Sequence, residues 1–286
     1  MLGRAEHALA LLCAMLPVGC SQHPPPQARI HYELGAPYQM AGVWRYPQES
    51  YDLTETGLAI VETGAHAPLT ADGEAFSPNA IAAAHPILQL PSIARVTELE
   101  TGRQIVLRIS DRGPADPGRM LAVTPRVAGL LGFPPSGVGR VRLQVLPAES
   151  HAAADSLPGA PALAISASPR VAVQVISLAA PAGPSQMANT LLSSSAGPAM
   201  VVQLPETVST VRPAPGQLWI FLSTFHEHHY AEAQRAKLKK LPGRVVPAGT
   251  NEYRARLGPF PTIAQADGAL RQAIAAGLPD ARIAVE

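Results

Sequence analysis

The sequence is poor in charge, in aromatic rings and in cysteine, and each scarcity excludes something. Only 15% of its 286 residues are charged, and the formal net charge is +1. A chain that neutralises a phosphate backbone carries a clear Lys/Arg excess, so nucleic acid is excluded as the main partner. Two cysteines, Cys13 and Cys20, exclude a disulfide scaffold and a Cys-rich zinc site. The nine histidines show no ligand spacing beyond His226, His228 and His229, which read as a solvated helix start. No metal and no cofactor is expected. No apolar run approaches the ~20 residues of a second membrane span, which excludes a multispanning protein. Proline, by contrast, is abundant at 30 residues. With so few charges, that excess points to at least one long unfolded connector. At roughly 150 residues per domain, the length suits about two domains.

The N-terminus reads as an address. Arg4 precedes an apolar stretch from Ala8 to Leu16, and Gly19 stands directly before Cys20. A basic start, a short apolar run and a small residue before a cut point describe a secretory signal over residues 1–20. The Gly19-Cys20 junction resembles a bacterial lipoprotein box, in which the cysteine is lipidated and becomes the new N-terminus. Pro17 stands where that box has Leu, Val or Ile, with Leu16 one residue earlier. A lipid on Cys20 makes a membrane the expected second partner, in the oxidising periplasm. Residues 21–55 read as a tether and lead-in, with the stiff Pro24-Pro25-Pro26 spacer followed by Tyr-, Gly- and Pro-rich sequence without a period.

Residues 56–147 read as a compact β domain. Ile105, Leu107 and Ile109 alternate with Val106 and Arg108, and Val141, Leu143 and Val145 alternate with Arg142 and Gln144. Alternation of period two predicts half-buried strands. Ser77 and Pro78 predict a short helix over 78–84. Thr124, Pro125 and Gly132 predict another over 124–131. About six short strands with two short helices suggest a small β-barrel. Three islands carry chemistry: Thr70-Ala71-Asp72-Gly73-Glu74, then Ala83-Ala84-His85 with Leu90-Pro91, then Ser110-Asp111-Arg112-Gly113-Pro114. An Asp-Gly turn accepts positive φ and aims Glu74 into a groove. Asp111 follows a strand and precedes a turn, at the place of a barrel mouth. A bland reading also fits: Asp111-Arg112 as a solvated turn pair and His85 as a satisfied core residue.

These islands, in this order, resemble the rare lipoprotein A family, whose domain is a double-psi β-barrel. Val96-Thr97-Glu98-Leu99 and Thr101-Gly102-Arg103 continue the likeness. The resemblance implies a lytic transglycosylase that cuts peptidoglycan glycan strands poor in stem peptides, with Glu74, His85 and Asp111 lining the cleft. In such an enzyme the muramic acid's own C6 hydroxyl attacks its anomeric carbon, so one carboxylic acid suffices to protonate the leaving oxygen. Asp111 is the first candidate, held by Arg112 or a backbone N–H. Glu74 steadies positive charge or is the acid itself, and His85 holds a carboxylate or a sugar hydroxyl. Thr70 and Arg112 are assigned to the substrate. The sequence also departs from the family: Gly57-Leu58-Ala59 is followed by Ile60-Val61-Glu62, without the Trp-Tyr-Gly that commonly follows the family's Gly-x-Ala-Ser start, and Ala122 stands where a carboxylate is common.

Residues 148–215 read as the disordered linker. Pro147 to Pro215 holds 10 prolines in 69 residues and only Glu149, Asp155, Arg170, Glu206 and Arg212 as charges. Residues 216–286 read as a second domain. Leu218–Phe225 is an apolar strand, Tyr230–Leu241 a helix, Glu252–Leu257 a strand, Asp267–Ala276 a helix and Arg282–Val285 a last strand. That order fits an α+β, ferredoxin-like arrangement. Ile220 to Phe225, Tyr230-Ala231 and Tyr253 to Phe260 resemble the sporulation-related repeat (SPOR) family. This resemblance implies binding of denuded peptidoglycan at the division septum. Leu218, Ile220 and Leu222 are expected to face the helices. Trp219, Phe221, Arg254 and Arg256 are expected on the open face of the sheet, as a glycan platform. Two functions follow: a lipid-anchored septal transglycosylase, or a catalytically silent peptidoglycan-binding protein on the same scaffold.

Overall fold

The computed structural model describes residues 27–63, 67–161 and 204–286. The signal segment with Cys20, the triple-proline spacer and residues 162–203 lie outside the described residues. The first ordered part is a small hairpin of β1 (Tyr38–Met40) and β2 (Val43–Arg45). The barrel strands follow: β3 (Thr54–Val61), β4 (Ala82–Ala84), β5 (Ser92–Glu98), β6 (Arg103–Asp111) and β7 (Arg119–Val123). Helix α1 (Pro125–Leu131), strand β8 (Val138–Val145) and helix α2 (Pro147–Ala154) complete this part. Six strands run β4-β7-β3-β8-β5-β6, and β6 pairs back onto β4 to close the barrel. The β3–β7 and β4–β6 pairs are parallel, so the chain crosses between strands instead of meandering. This is the double-psi β-barrel.

The period-two segments form its wall. Ile105, Leu107, Ile109, Val141, Leu143 and Val145 are all buried in one cluster, because alternate residues share a sheet face. Helix α1 is capped as its sequence requires. The Thr124 hydroxyl accepts from Val127 N–H at 3.3 Å, and Gly132 closes the helix with φ 75°. The helix expected over 78–84 is absent. Residues 78–80 make a turn, and Ala82–Ala84 is strand β4. Its backbone bridges β6 and β7, and this closing role overrides the helix preference of three alanines.

Both ends of the stretch read as linker carry structure. In α2 the Ser150 hydroxyl accepts from Ile93 N–H at 2.9 Å and donates to its carbonyl at 3.0 Å. Farther on, β9 (Ser209–Thr210) pairs with β6. Val211 N–H and Ala214 N–H donate to the Gly102 and Leu99 carbonyls, both at 2.8 Å. Partners on the barrel order these segments, and composition cannot reveal partners. The lead-in also packs along the barrel: Glu33 and Leu90 exchange backbone hydrogen bonds at 2.8 and 2.9 Å.

The C-terminal domain comprises β10 (Leu218–Phe225), α3 (His228–Ala236), β11 (Gly243–Gly249), β12 (Glu252–Phe260), α4 (Ile263–Ala275) and β13 (Arg282–Val285). Its antiparallel sheet has the order β11-β12-β10-β13, the βαββαβ ferredoxin-like arrangement. Strand β11, interrupted by Pro247, is the element sequence periodicity misses; as an edge strand it tolerates proline. Leu218, Ile220, Leu222, Ala255 and Leu257 pack with α4 in one core.

That core continues into the barrel, since Leu58 and Leu99 belong to the same cluster. Arg119 on β7 makes a two-pronged ion pair with Asp267 on α4, at 2.7 and 2.9 Å. The Thr56 hydroxyl donates to Val285 O at 2.6 Å, and Arg282 pairs with Glu55 at 3.1 Å. Gly118 sits at φ 77°, and a Cβ there would stand 2.5 Å from Leu270 Cδ2, so glycine lets α4 seat this closely. No helix among the described residues is long and apolar enough to cross a membrane.

Candidate active site

The site is built on the Thr70–Glu74 turn and the C-terminal end of β6. Gly73 adopts φ 83°, and a Cβ there would lie 2.2 Å from Arg29 O; only glycine fits between the turn and the lead-in. The Thr70 hydroxyl donates to Asp72 Oδ1 at 2.7 Å and accepts from Glu74 N–H at 3.0 Å. Asp72 is fully buried. This closed turn fixes where Glu74 leaves the backbone. Glu74 and Asp111 both line a pocket of about 40 Å³ floored by Ala82, Ala84 and Ala122. Glu74 and Ala82 also line an adjoining groove of about 500 Å³, together with Ile30, Leu204 and Glu206.

The two carboxylates differ in what holds them. Asp111 Oδ1 accepts from the Ala71 and Arg112 backbone N–H groups at 3.0 and 2.8 Å, which fix its carboxylate at the end of β6. Glu74 is pushed up from 4.5 to about 7, first by burial and then by the neighbouring Asp72 charge, against the pull of Arg108. Arg108 Nε contacts the Glu74 carboxylate, and its Nη2 reaches Asp72 Oδ2 at 3.5 Å. Burial lifts Asp72 too.

The other residues expected at the site are distributed differently. Thr70 lines the pocket, but its hydroxyl proton is committed to Asp72. Arg112 does not reach toward the pocket. Its guanidinium donates to the carbonyls of Leu88, Leu34 at 2.7 Å and Glu33 at 3.3 Å, latching the lead-in to the barrel. With its guanidinium on these carbonyls, Arg112 is absent from the pocket lining where substrate contact was expected. His85 is buried, and its side chain lines a separate cavity of about 180 Å³ between barrel and C-terminal domain. Its Nδ1 accepts from Ile87 and Leu88 N–H at 3.3 and 3.2 Å, which leaves the proton on Nε2 to donate to Glu55 at 3.0 Å. Thus Glu74 and Asp111 come together, and His85 does not join them.

On the C-terminal sheet, Trp219 and Phe221 do share the face opposite the helices, packed with Ala284. They are not open to solvent: only 6% and 7% of each is exposed. Arginines lie over them. Arg256 stands 4.0 Å from the Trp219 centroid and Arg254 4.8 Å from that of Phe221, with Arg244 and Arg282 at 5.5 and 5.6 Å. The platform therefore presents guanidinium groups, with rings beneath as cation–π partners.

Sequence reasoning missed Arg108, Asp72 as a site member, Glu55 and Arg282. One signal was present: an arginine between Leu107 and Ile109 in a buried strand demands a carboxylate partner. Among the described residues, no group of three or more His, Cys, Asp or Glu could hold a metal ion.

A closed double-psi barrel with an acid-lined pocket, joined to a ferredoxin-like sheet, defines a two-domain class, and comparison with known proteins agrees. Residues 58–143 match the family model described as lytic transglycolase, and residues 214–283 match the SPOR domain. The endolytic peptidoglycan transglycosylase RlpA of Pseudomonas aeruginosa is 30% identical over 240 residues, covering 78% of this chain and 69% of the relative. The RlpA proteins of Rickettsia felis and Yersinia pestis are 33% and 42% identical over 125 and 91 residues. Those matches cover 42% and 32% of this chain, and 55% and 25% of the relatives. The chain belongs to the RlpA family. It spans about half the length of the Rickettsia felis relative it matches.

Proposed function

We propose that the protein is an endolytic lytic transglycosylase that cleaves denuded peptidoglycan glycan strands to 1,6-anhydro-muramyl ends. One observation carries the reading: a carboxyl group pushed up to about 7 beside a second carboxylate held by two N–H donors, in one pocket. An acid poised near neutral pH can give up a proton and take one back. Glu74 protonates the leaving glycosidic oxygen as the bond from the anomeric carbon to it breaks. The C6 hydroxyl of the same muramic acid forms the new bond to that carbon, and its proton returns to Glu74. Asp111, held by the Ala71 and Arg112 N–H groups, stabilises the positive charge that develops on the sugar. The acid role thus moves from Asp111 to Glu74, and His85 supports the barrel through Glu55.

The C-terminal domain supplies targeting. Arg254 and Arg256, stacked on Phe221 and Trp219, offer donors for sugar hydroxyl and lactyl carboxylate oxygens. The protein works in the periplasm at the septal wall, anchored through a lipid on Cys20. Cys20→Ser then releases it from membranes, and retention after a salt wash would remove the anchor.

The second reading, a silent wall-binding protein, is favoured by Ala122, which lines the pocket where relatives commonly carry a carboxylate. Incubation with amidase-treated peptidoglycan separates the two. Release of 1,6-anhydro ends by the wild type and not by Glu74→Gln supports the enzyme. Sacculus binding without anhydro ends supports the silent protein.

A further inference from the structure

We propose that Asp72 and Arg108 are positioning residues that together keep Glu74 protonated and aimed into the pocket. The proposal rests on the reading of Glu74 as the acid and adds the device that makes it one. Three charged side chains meet beneath the turn. Arg108 is buried in β6, with its Nε on Glu74 and its Nη2 on Asp72. One guanidinium is thus shared by two carboxylates, and the cluster is one cation short of neutrality if both ionise. Two buried carboxylates beside each other do not both ionise at low cost, so the pair keeps one proton.

Geometry decides which residue keeps it. Asp72 is surrounded by donors: the Thr70 hydroxyl at 2.7 Å, Glu74 N–H at 3.3 Å and Arg108 Nη2 at 3.5 Å. Donors on a carboxylate hold its charge. Glu74 has Arg108 on one side and opens to the pocket and groove on the other. The proton therefore rests on Glu74. The charged groups around Glu74 are Asp72 from its own turn, Arg108 from β6, and Asp111, Glu62 and Glu206, which line the same pocket or groove. Of these, Asp72 is the acid whose charge reinforces the retention of a proton, while the exposed Glu206 is paired with Arg126. Arg108 also fixes direction, since a guanidinium bound at two points cannot swing as an ammonium does.

The experiment titrates the carboxyl carbons of the full chain, labelled at Glu and Asp, by carbon NMR, beside the pH profile of anhydro-end release. In the wild type, Glu74 is expected to titrate near neutrality while Asp72 stays ionised. Asp72→Asn removes the competing charge. It should lower the Glu74 midpoint by about one pH unit or more and shift the alkaline limb of the rate profile by the same amount. Arg108→Lys keeps the charge and loses the two-point grip; about a tenfold fall in kcat at unchanged KM is expected. If thermal melting shows Asp72→Asn unfolded, Thr70→Val serves instead. It strips a donor from Asp72, and the Glu74 midpoint should again fall. A Glu74 midpoint in the ordinary carboxylate range in the wild type overturns the proposal, as does a midpoint unmoved by Asp72→Asn or Thr70→Val. A wild type with a near-neutral Glu74 but no anhydro ends upholds the charge arrangement and instead removes the enzymatic reading.

Discussion

Glu74 and Glu55 are both largely buried carboxylates of one barrel, and their surroundings drive them in opposite directions. Burial raises Glu74, and the nearby Asp72 raises it further, beyond what the shared Arg108 can offset. Burial also works to raise Glu55, but the hydrogen bond and electrostatic pull of the His85 Nε2–H, with the charge of Arg282, outweigh it and hold Glu55 low. The difference lies in the count of partners. Two acids share one cation in the first cluster; one acid sits between an arginine and a histidine in the second. The first can store a proton. The second is a fixed anion that joins barrel and C-terminal domain, since Arg282 belongs to β13.

The largest effect should separate the two carboxylates by function. Glu74→Gln is expected to lower anhydro-end release by about 10²–10⁴-fold with the barrel still folded. Glu55→Gln should lower turnover less than about tenfold, because its side chain supports His85 from another cavity and touches no reacting atom. Equal losses in the two variants would break the comparison.

The pH dependence should separate them by sign. Cleavage is expected to decline as pH rises through about 7, where Glu74 loses its proton. Stability follows linkage. The raised Glu74 contributes stability that is fully present below its unfolded value of 4.5 and lost as pH rises through about 7. The lowered Glu55 contributes stability that is present above its unfolded value of 4.5 and lost as pH falls through its lower folded value. Thermal melts across the acid and neutral range should therefore show Glu74→Gln flattening the alkaline side and Glu55→Gln flattening the acid side. The same slope in both variants would contradict the opposite shifts.

A smaller effect concerns the joint between the domains. Arg119 and Asp267 form a two-pronged, mostly buried pair. Charge-assisted hydrogen bonds of this kind contribute about 1.5–3 kcal/mol, and a double-mutant cycle of Arg119→Gln with Asp267→Asn should recover a coupling of that order. A coupling near zero would show that the domains are held by their shared apolar core alone. The smallest effect belongs to the exposed Arg126–Glu206 pair beside the groove. Glu206→Gln should leave the melting temperature unchanged within error, since exposed pairs are screened by water.

The sequence by itself determined whatever depends on neighbours along the chain. Alternation at Ile105, Leu107 and Ile109 set β6, and Thr124, Pro125 and Gly132 set both ends of α1. The order of the Thr70, His85 and Asp111 islands set the barrel family, and the Ile220 to Phe225 and Tyr253 to Phe260 segments set the second domain. The tertiary structure decided what depends on partners distant in the chain. Ala82–Ala84 became a strand because β6 and β7 lie on either side of it. Residues 209–214 became ordered because the Leu99–Gln104 region supplies backbone partners. Arg112 turned to three carbonyls of the lead-in and barrel. His85 turned to Glu55, and Trp219 and Phe221 went under arginines. Above all, the proposal of Glu74 rather than Asp111 as the acid needed three dimensions. A protonation state is set by burial and by the number of charges within a few ångströms, and Arg108 is 34 residues from Glu74 along the chain yet touches it in the fold.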